Sequence, residues 1–188
     1  MKERANTRST VKGIVFNLLE EIVGAEYGED TWDDLLDDAG LDGAYTSLGN
    51  YGDEELMQLV SAASARLELP ADDVVRWFGR HATPIFKRRY PDLFAPHSST
   101  RPFVLTLNEI IHPEVRKLYP GADVPMFDFD TSSDDVLVMG YSSTRKLCAF
   151  AEGLLQGAGD VFGEQVNISQ PVCMNRGDEQ CRLEISVT

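Results

Sequence analysis

The sequence predicts an α+β fold: a mainly helical N-terminal portion, then a C-terminal four-stranded antiparallel sheet with one helix packed on it. Two changes of pattern carry that expectation. Up to about residue 120, apolar residues recur at helical spacing; beyond it, short runs alternate apolar and polar as half-buried strands do. Size sets the third bound, since 188 residues, 43% of them hydrophobic, suit one domain whose core needs no disulfides.

In VKGIVFNLLEEIVGAEYGEDTW, the spacing of Val15, Leu18, Leu19, Ile22 and Val23 predicts a helix from Val11 or Lys12, with Gly24 near its end. The Gly- and Asp-rich stretch from Asp37 to Asp53 reads as a short helix plus loop. Leu56, Leu59, Val60, Ala63 and Leu67 mark a second amphipathic helix. Pro70 opens a third, helical from about Asp72 to Tyr90, with Pro84 as an expected kink. After a loop from Ala95 to Pro102, FVLTLNEIIHPEVRKLYPGADVP is helical but interrupted at Pro113. Four strands follow, in MFDFD, VLVMGY, QVNISQPVCM and CRLEISV, with a helix from about Thr144 to Val161 between the second and third. Cys181, Leu183, Ile185 and Val187 alternate, which buries one face of the last strand.

The opening MKERANTRST is polar and lacks the apolar centre of a secretory signal, so residues 1–10 read as an unstructured extension and residues 11–188 as one domain. Val11 is then a candidate natural start. No apolar run approaches the roughly 20 residues that span a bilayer, and the expected location is the cytoplasm, where three cysteines stay reduced. A formal net charge of −14 repels phosphate backbones and argues against nucleic acid as a partner. Phosphate-cradling glycine loops are absent from the sequence.

GYSSTRKLCAF sets a phenol, hydroxyls and a guanidinium beside one another. If Tyr141 to Arg145 runs extended, Tyr141, Ser143 and Arg145 share a face and present donors to one point, where a carboxylate fits. The same residues also suit a helix N-terminus capped by Ser143 or Thr144, with Arg145 exposed. Of three histidines, His97 falls in an exposed Pro/Ser loop and His81 reads as a structural residue of its helix. His112 sits between an apolar stretch and Pro113, which disfavours helix at His112 itself. Such a histidine either caps the next segment or projects its imidazole into a cavity as a metal ligand.

NEIIHPEVRKLYPGADVPMF followed by YSSTR resembles the H-NOX family, the haem nitric oxide/oxygen-binding domains related to the sensor domain of soluble guanylate cyclase, in its bacterial stand-alone form. KGIVFNLLEEIV and YGEDTW extend the likeness over nearly the whole chain. The resemblance implies haem b between the helical portion and the sheet, with His112 as axial ligand to its iron. Tyr141, Ser143 and Arg145 then hold the two propionates, and Pro125, preceded here by Val124, packs against the porphyrin and bends it. Val15, Leu19 and Phe150 match the family's distal wall, with Phe86 nearby. Oxygen-binding members carry a tyrosine at the position of Phe150; a phenylalanine cannot donate a hydrogen bond, so the expected ligands are nitric oxide and carbon monoxide, not oxygen. The implied role is a non-enzymatic sensor in which nitric oxide weakens the iron–histidine bond, the segment bearing His112 relaxes, and a separate histidine kinase or cyclic-di-GMP enzyme receives the signal.

CMNRGDEQC places Cys173 and Cys181 symmetrically about Gly177, an expected hairpin tip, so the two thiols share a face. Cys148 is within reach from the adjoining helix. Some bacterial members of the family hold zinc, or form redox-active disulfides, with three cysteines at this spacing and a histidine; that histidine's position is Gln170 here. Zinc on Cys148, Cys173 and Cys181 is one expectation, and reduced cysteines that merely pack are the other. GAGDVFGEQV and CMNRGDEQCRLEI also resemble V4R-type domains, which bind small hydrophobic molecules without haem, over the last third of the chain. A haem enzyme such as a peroxidase would need a distal acid–base pair that these residues do not supply.

Overall fold

The computed structural model describes residues 10–188, so all of the expected extension but Thr10 lies outside the described residues. The chain forms two compact units, one ending at Ala71 and one running from Asp72 to Thr188.

In the first unit, Thr10 opens a short strand, β1 (Thr10–Lys12), which pairs antiparallel with β2 (Asn50–Gly52), Val11 opposite Tyr51. The first helix therefore starts slightly later than expected, as α1 (Gly13–Tyr27). Gly13 makes that junction possible: a Cβ there would stand 2.0 Å from the Thr46 carbonyl oxygen. The short helix expected after Asp37 lies earlier, as α2 (Glu29–Ala39), and stops at Gly40 in the left-handed region, φ 68°. In α3 (Asp53–Leu67) the expected stripe is inward from Leu56 to Ala63, while Leu67 at its end is exposed, and the Glu55 carboxylate accepts the Gly52 N–H at its start. Phe16 is fully buried at the centre of this unit. It stacks on Tyr45 at 4.0 Å and meets Tyr51 edge-on at 5.6 Å, among Trp32, Leu35, Leu36 and Leu59.

The second unit opens with α4 (Ala71–Arg89), α5 (Pro91–Phe94) and α6 (Thr100–Leu105). A wide π turn, Leu107–Ile111, leads into α7 (His112–Leu118). Four strands follow, β3 (Met126–Asp130), β4 (Val136–Ser142), β5 (Val166–Val172) and β6 (Cys181–Val187), with α8 (Cys148–Phe162) between β4 and β5. They make one antiparallel sheet in the order β3-β4-β6-β5. The central strand β6 has the clean alternation the sequence predicted: Cys181, Leu183 and Ile185 are fully buried, and their neighbours are not.

Helices α4 and α8 meet backbone to backbone. A Cβ on Gly79 would lie 2.5 Å from the Phe150 carbonyl oxygen, one on Gly153 2.0 Å from that of Arg76, and one on Gly157 2.4 Å from that of Arg80. The steps match, four residues on each helix. Pro84 has no N–H to offer the Arg80 carbonyl four residues back, and α4 runs on past it to Arg89 with that oxygen facing Gly157. Thr83 donates to the Leu154 carbonyl across the same seam, and ion pairs Arg76–Glu152 (2.7 Å) and Arg80–Asp160 (2.6 Å) flank it. Among the described residues, no helix is long and apolar enough to cross a membrane.

Candidate functional site

The segment carrying His112 departs from the sequence expectation in one respect. His112 is helical, φ −65° and ψ −38°, although a proline follows it. The irregularity sits one turn earlier, where the His112 N–H reaches back five residues to the Leu107 carbonyl. A widened turn of this kind absorbs the register change, so Pro113 falls at the start of α7, where a missing N–H costs nothing. Neither the π turn nor α7 contains a buried residue.

The His112 imidazole packs beside Phe127, ring centroids 5.4 Å apart. Its Nδ1 is buried. Burial pushes the imidazole pKa down to about 4; a hydrogen bond with the Pro125 carbonyl opposes this and Arg116 adds to it. At neutral pH the side chain is thus an uncharged imidazole with a lone pair available, which is the ligating form.

Tyr141 continues the same row of rings. It pairs with Phe127 across β3 and β4, at a centroid separation of 6.0 Å. The strand ends at Ser142, so the extended strip imagined from Tyr141 to Arg145 does not form. Instead the Ser143 hydroxyl accepts the Arg145 N–H at 3.3 Å and the chain turns, with Lys146 at φ 52°. This delays α8 to Cys148, four residues after the expected start. The turn still gathers the three side chains. The buried Tyr141 phenol meets Ser143 and accepts the Leu147 N–H at 3.1 Å, and burial raises its pKa, so it stays protonated. From the same turn, the Arg145 guanidinium donates to the Asp123 carbonyl at 3.4 Å, in the loop that leads to Pro125. His112, Pro125, Tyr141, Ser143 and Arg145 therefore belong to one connected region of the second unit.

Phe150, on α8, stacks on Phe78 of α4 at 5.3 Å. Phe86, also on α4, packs half-buried against the core of this unit. Val15 and Leu19 lie on α1 of the first unit, half-buried against the cluster around Phe16. The ring of His81 stacks on Trp77 at 4.4 Å and its Nδ1 bonds the Trp77 carbonyl, the structural role the sequence suggested. His97, expected in the open, is half-buried with its ring edge-on to Phe103.

All three cysteines are buried and unbridged, with Sγ atoms within 4.8 Å of one another and Cys148 and Cys173 at 3.7 Å. Cys148 opens α8, Cys173 follows β5 and Cys181 opens β6, with Gly177 left-handed at φ 103° between the last two. Burial pushes the Cys148 thiol up to about 12, with Gln170 opposing, and raises Cys181 as well. The Gln170 amide nitrogen is buried without a hydrogen-bond partner. Three sulfurs at this spacing supply three of the four ligands that a structural zinc takes.

One residue of the region went unnoticed in the sequence. Asn108, in the π turn, donates from Nδ2 to the Phe127 carbonyl at 2.6 Å and accepts the Phe127 N–H on Oδ1 at 3.1 Å. Its signal was only a polar residue inside an apolar helical run four places before His112.

Similarity to known proteins agrees with this geometry. The model of the haem-NO-binding family matches residues 12–170. An H-NOX protein from S. oneidensis, solved in the Fe(II)NO ligation state, is 35% identical, with a TM-score of 0.88, over 95% of this chain and 99% of its own. One from K. algicida, solved as Fe(II) unliganded, is 27% identical, with a TM-score of 0.83, over 95% and 97%. A third, from Shewanella woodyi in the Fe(II)CO state with IWP-051 bound, is 32% identical, with a TM-score of 0.79, over 94% of each chain. A lone imidazole beside a turn of carboxylate donors thus sits in a chain that belongs to the haem-NO-binding, or H-NOX, family of gas-sensor domains.

Proposed function

We propose that this protein is a non-enzymatic, cytoplasmic sensor that binds nitric oxide and carbon monoxide, but not oxygen, at a ferrous haem b held by His112. The observation that carries the reading is the uncharged imidazole of His112, half-buried beside Phe127, with the phenol, hydroxyl and guanidinium of Tyr141, Ser143 and Arg145 gathered at the end of β4. Relatives in Fe(II)NO and Fe(II)CO states support the choice of gases. When bound, haem would supply a ferrous iron able to take a diatomic gas.

Each residue then has a task. His112 would supply the nitrogen that holds the iron, and its neutral form means that no proton has to leave first. Arg145, Ser143 and the protonated Tyr141 phenol offer the propionates donors, the guanidinium in a bidentate fork. Pro125 is a rigid apolar surface for the porphyrin face. Phe150 and Phe86 line the gas side of the second unit with apolar groups, and Phe150 gives a bound diatomic no hydrogen bond. Helix α7, which has no fully buried residue, would follow a movement of His112. The signal passes to a separate protein, a histidine kinase or a cyclic-di-GMP enzyme. As a second, separable assignment, Cys148, Cys173 and Cys181 hold zinc with Gln170 facing the fourth corner.

The decisive experiment is reconstitution with hemin. The parent protein takes it up and shows a Soret band; His112→Gly weakens or loses the band, and added imidazole restores it. A properly folded parent that stays colourless overturns the sensor reading and leaves the haem-free, V4R-like alternative, which gives His112 no role.

A further inference from the structure

We infer that Asn108 is a positioning residue for His112: its side-chain amide fastens the turn that leads into the histidine onto the strand that follows Pro125. The inference rests on the proposed axial role of His112, and its geometry stands independently of that role. Phe127 lies in β3, the edge strand of the sheet. Its N–H and carbonyl both face Asn108, at 3.1 and 2.6 Å, where a further strand would otherwise pair. A side-chain amide carries a donor and an acceptor on two neighbouring atoms, which matches the carbonyl and N–H that one strand residue presents.

The position of the clamp gives it consequence. Asn108 is four residues before His112, Phe127 is two after Pro125, and the Phe127 ring lies against the His112 imidazole. No residue of the π turn or α7 is fully buried, and only Leu107 and Ile111 of the π turn pack half-buried against the core, so packing alone fixes the imidazole loosely. The far end is tied separately, by the hydroxyl-to-hydroxyl bond of Tyr119 and Tyr90. Asn108 therefore holds the ligating side chain and the proline surface in one frame. Without it the histidine has to be ordered by its own bond to the metal, which weakens that bond and favours its release.

The test uses the haem-loaded full chain and the variants Asn108→Ala and Asn108→Asp. In the gas-free ferrous protein, resonance Raman reads the iron–histidine stretch; Asn108→Ala shifts it to lower frequency. With nitric oxide added, absorption separates histidine-bound from histidine-free complexes, and the histidine-free to histidine-bound ratio rises roughly tenfold, the effect of two lost hydrogen bonds. Asn108→Asp keeps the acceptor for the Phe127 N–H and falls between. Hydrogen exchange at the Phe127 amide, read without haem, speeds up at least about tenfold in Asn108→Ala. A residue that only stabilised the fold would lower the melting temperature and leave the stretch where it was. A haem-binding Asn108→Ala protein with the parental stretch and the parental nitric oxide spectrum overturns this inference alone. A parent that takes up no hemin overturns the sensor reading, while the exchange at Phe127 still reports whether the clamp exists.

Discussion

Tyr90 and Tyr119 share a hydroxyl-to-hydroxyl hydrogen bond of 2.5 Å that joins the end of α4 to the end of α7. Burial, then the bond to Tyr90, raises the Tyr119 pKa to about 12, against the opposing charge of Arg89. Below pH 10 the phenol is protonated in both folded and unfolded chains, and its contribution is fully present. Between about pH 10 and 12 the unfolded chain releases the proton and the folded one keeps it, so stability falls as pH rises. Tyr119→Phe flattens that decline without abolishing it, because Tyr45 is raised to about 12 as well. Denaturation midpoints across this range check the expectation; equal slopes in parent and variant would refute it. At neutral pH the variant loses about 1 kcal/mol, one net hydrogen bond.

Glycines at two helical positions have opposite fates on gaining a methyl group. Gly153→Ala drives a Cβ into the Arg76 backbone, which no side-chain rotation relieves, and forces α8 away from α4. The cost is about 1–3 kcal/mol, the range for overpacked cores, and the Phe78–Phe150 stack shifts with the helix. Gly24, in α1, has nothing within 4 Å of its would-be Cβ; Gly24→Ala stabilises by about 0.5–1 kcal/mol through helix propensity. Urea unfolding of the two variants should move the midpoint in opposite directions. A tolerated Gly153→Ala would mean that the two helices pack less closely than described.

Strand β6 and helix α3 were readable because each carries an uninterrupted stripe of one period, alternate residues in the first and Leu56 to Ala63 in the second. His112 and the group Tyr141, Ser143 and Arg145 stood out for a different reason, since residue types at motif spacing suggest a chemistry without any geometry. What escaped the sequence involves backbone that no pattern encodes. Strands β1 and β2 are three residues each, too short to alternate. The turn at Ser143 hangs on one hydroxyl accepting one N–H, so an extended Tyr141–Arg145 looked equally good on paper. The π turn moves the irregularity ahead of His112, and Asn108 becomes visible only once β3 has an edge to clamp.

Gln170 tests the thiol cluster. If zinc sits on Cys148, Cys173 and Cys181, the fourth corner lacks the nitrogen donor that would complete a closed tetrahedral site. Gln170→His restores it. Competition against a chromogenic chelator should show zinc held at least about tenfold more tightly in that variant, the scale on which ligand-shell changes act. Cys148→Ser should lose the metal altogether. Parent protein with no zinc after purification from zinc-supplemented medium, together with no gain in Gln170→His, would leave three packed thiols and no metal site.

Phe150 offers the sharpest test of gas selectivity. Its ring is held against Phe78 on a helix packed closely through Gly153 and Gly157, and a tyrosine there differs from it only by the para hydroxyl. The neighbouring helix offers no ready substitute, since His81 spends its Nδ1 on the Trp77 carbonyl. An iron–oxygen unit carries more negative charge on the diatomic than an iron–nitric oxide unit does, so a donor there matters most for oxygen. A hydrogen bond to a charged acceptor is worth about 1.5–3 kcal/mol, roughly ten- to hundredfold in dissociation rate. Reduced Phe150→Tyr protein exposed to air should therefore hold oxygen long enough for its spectrum to be recorded, while the parent shows none and its nitric oxide binding changes little. An oxygen complex in the parent would remove the basis for its selectivity, and a Phe150→Tyr variant indistinguishable from the parent would place the gas away from this residue.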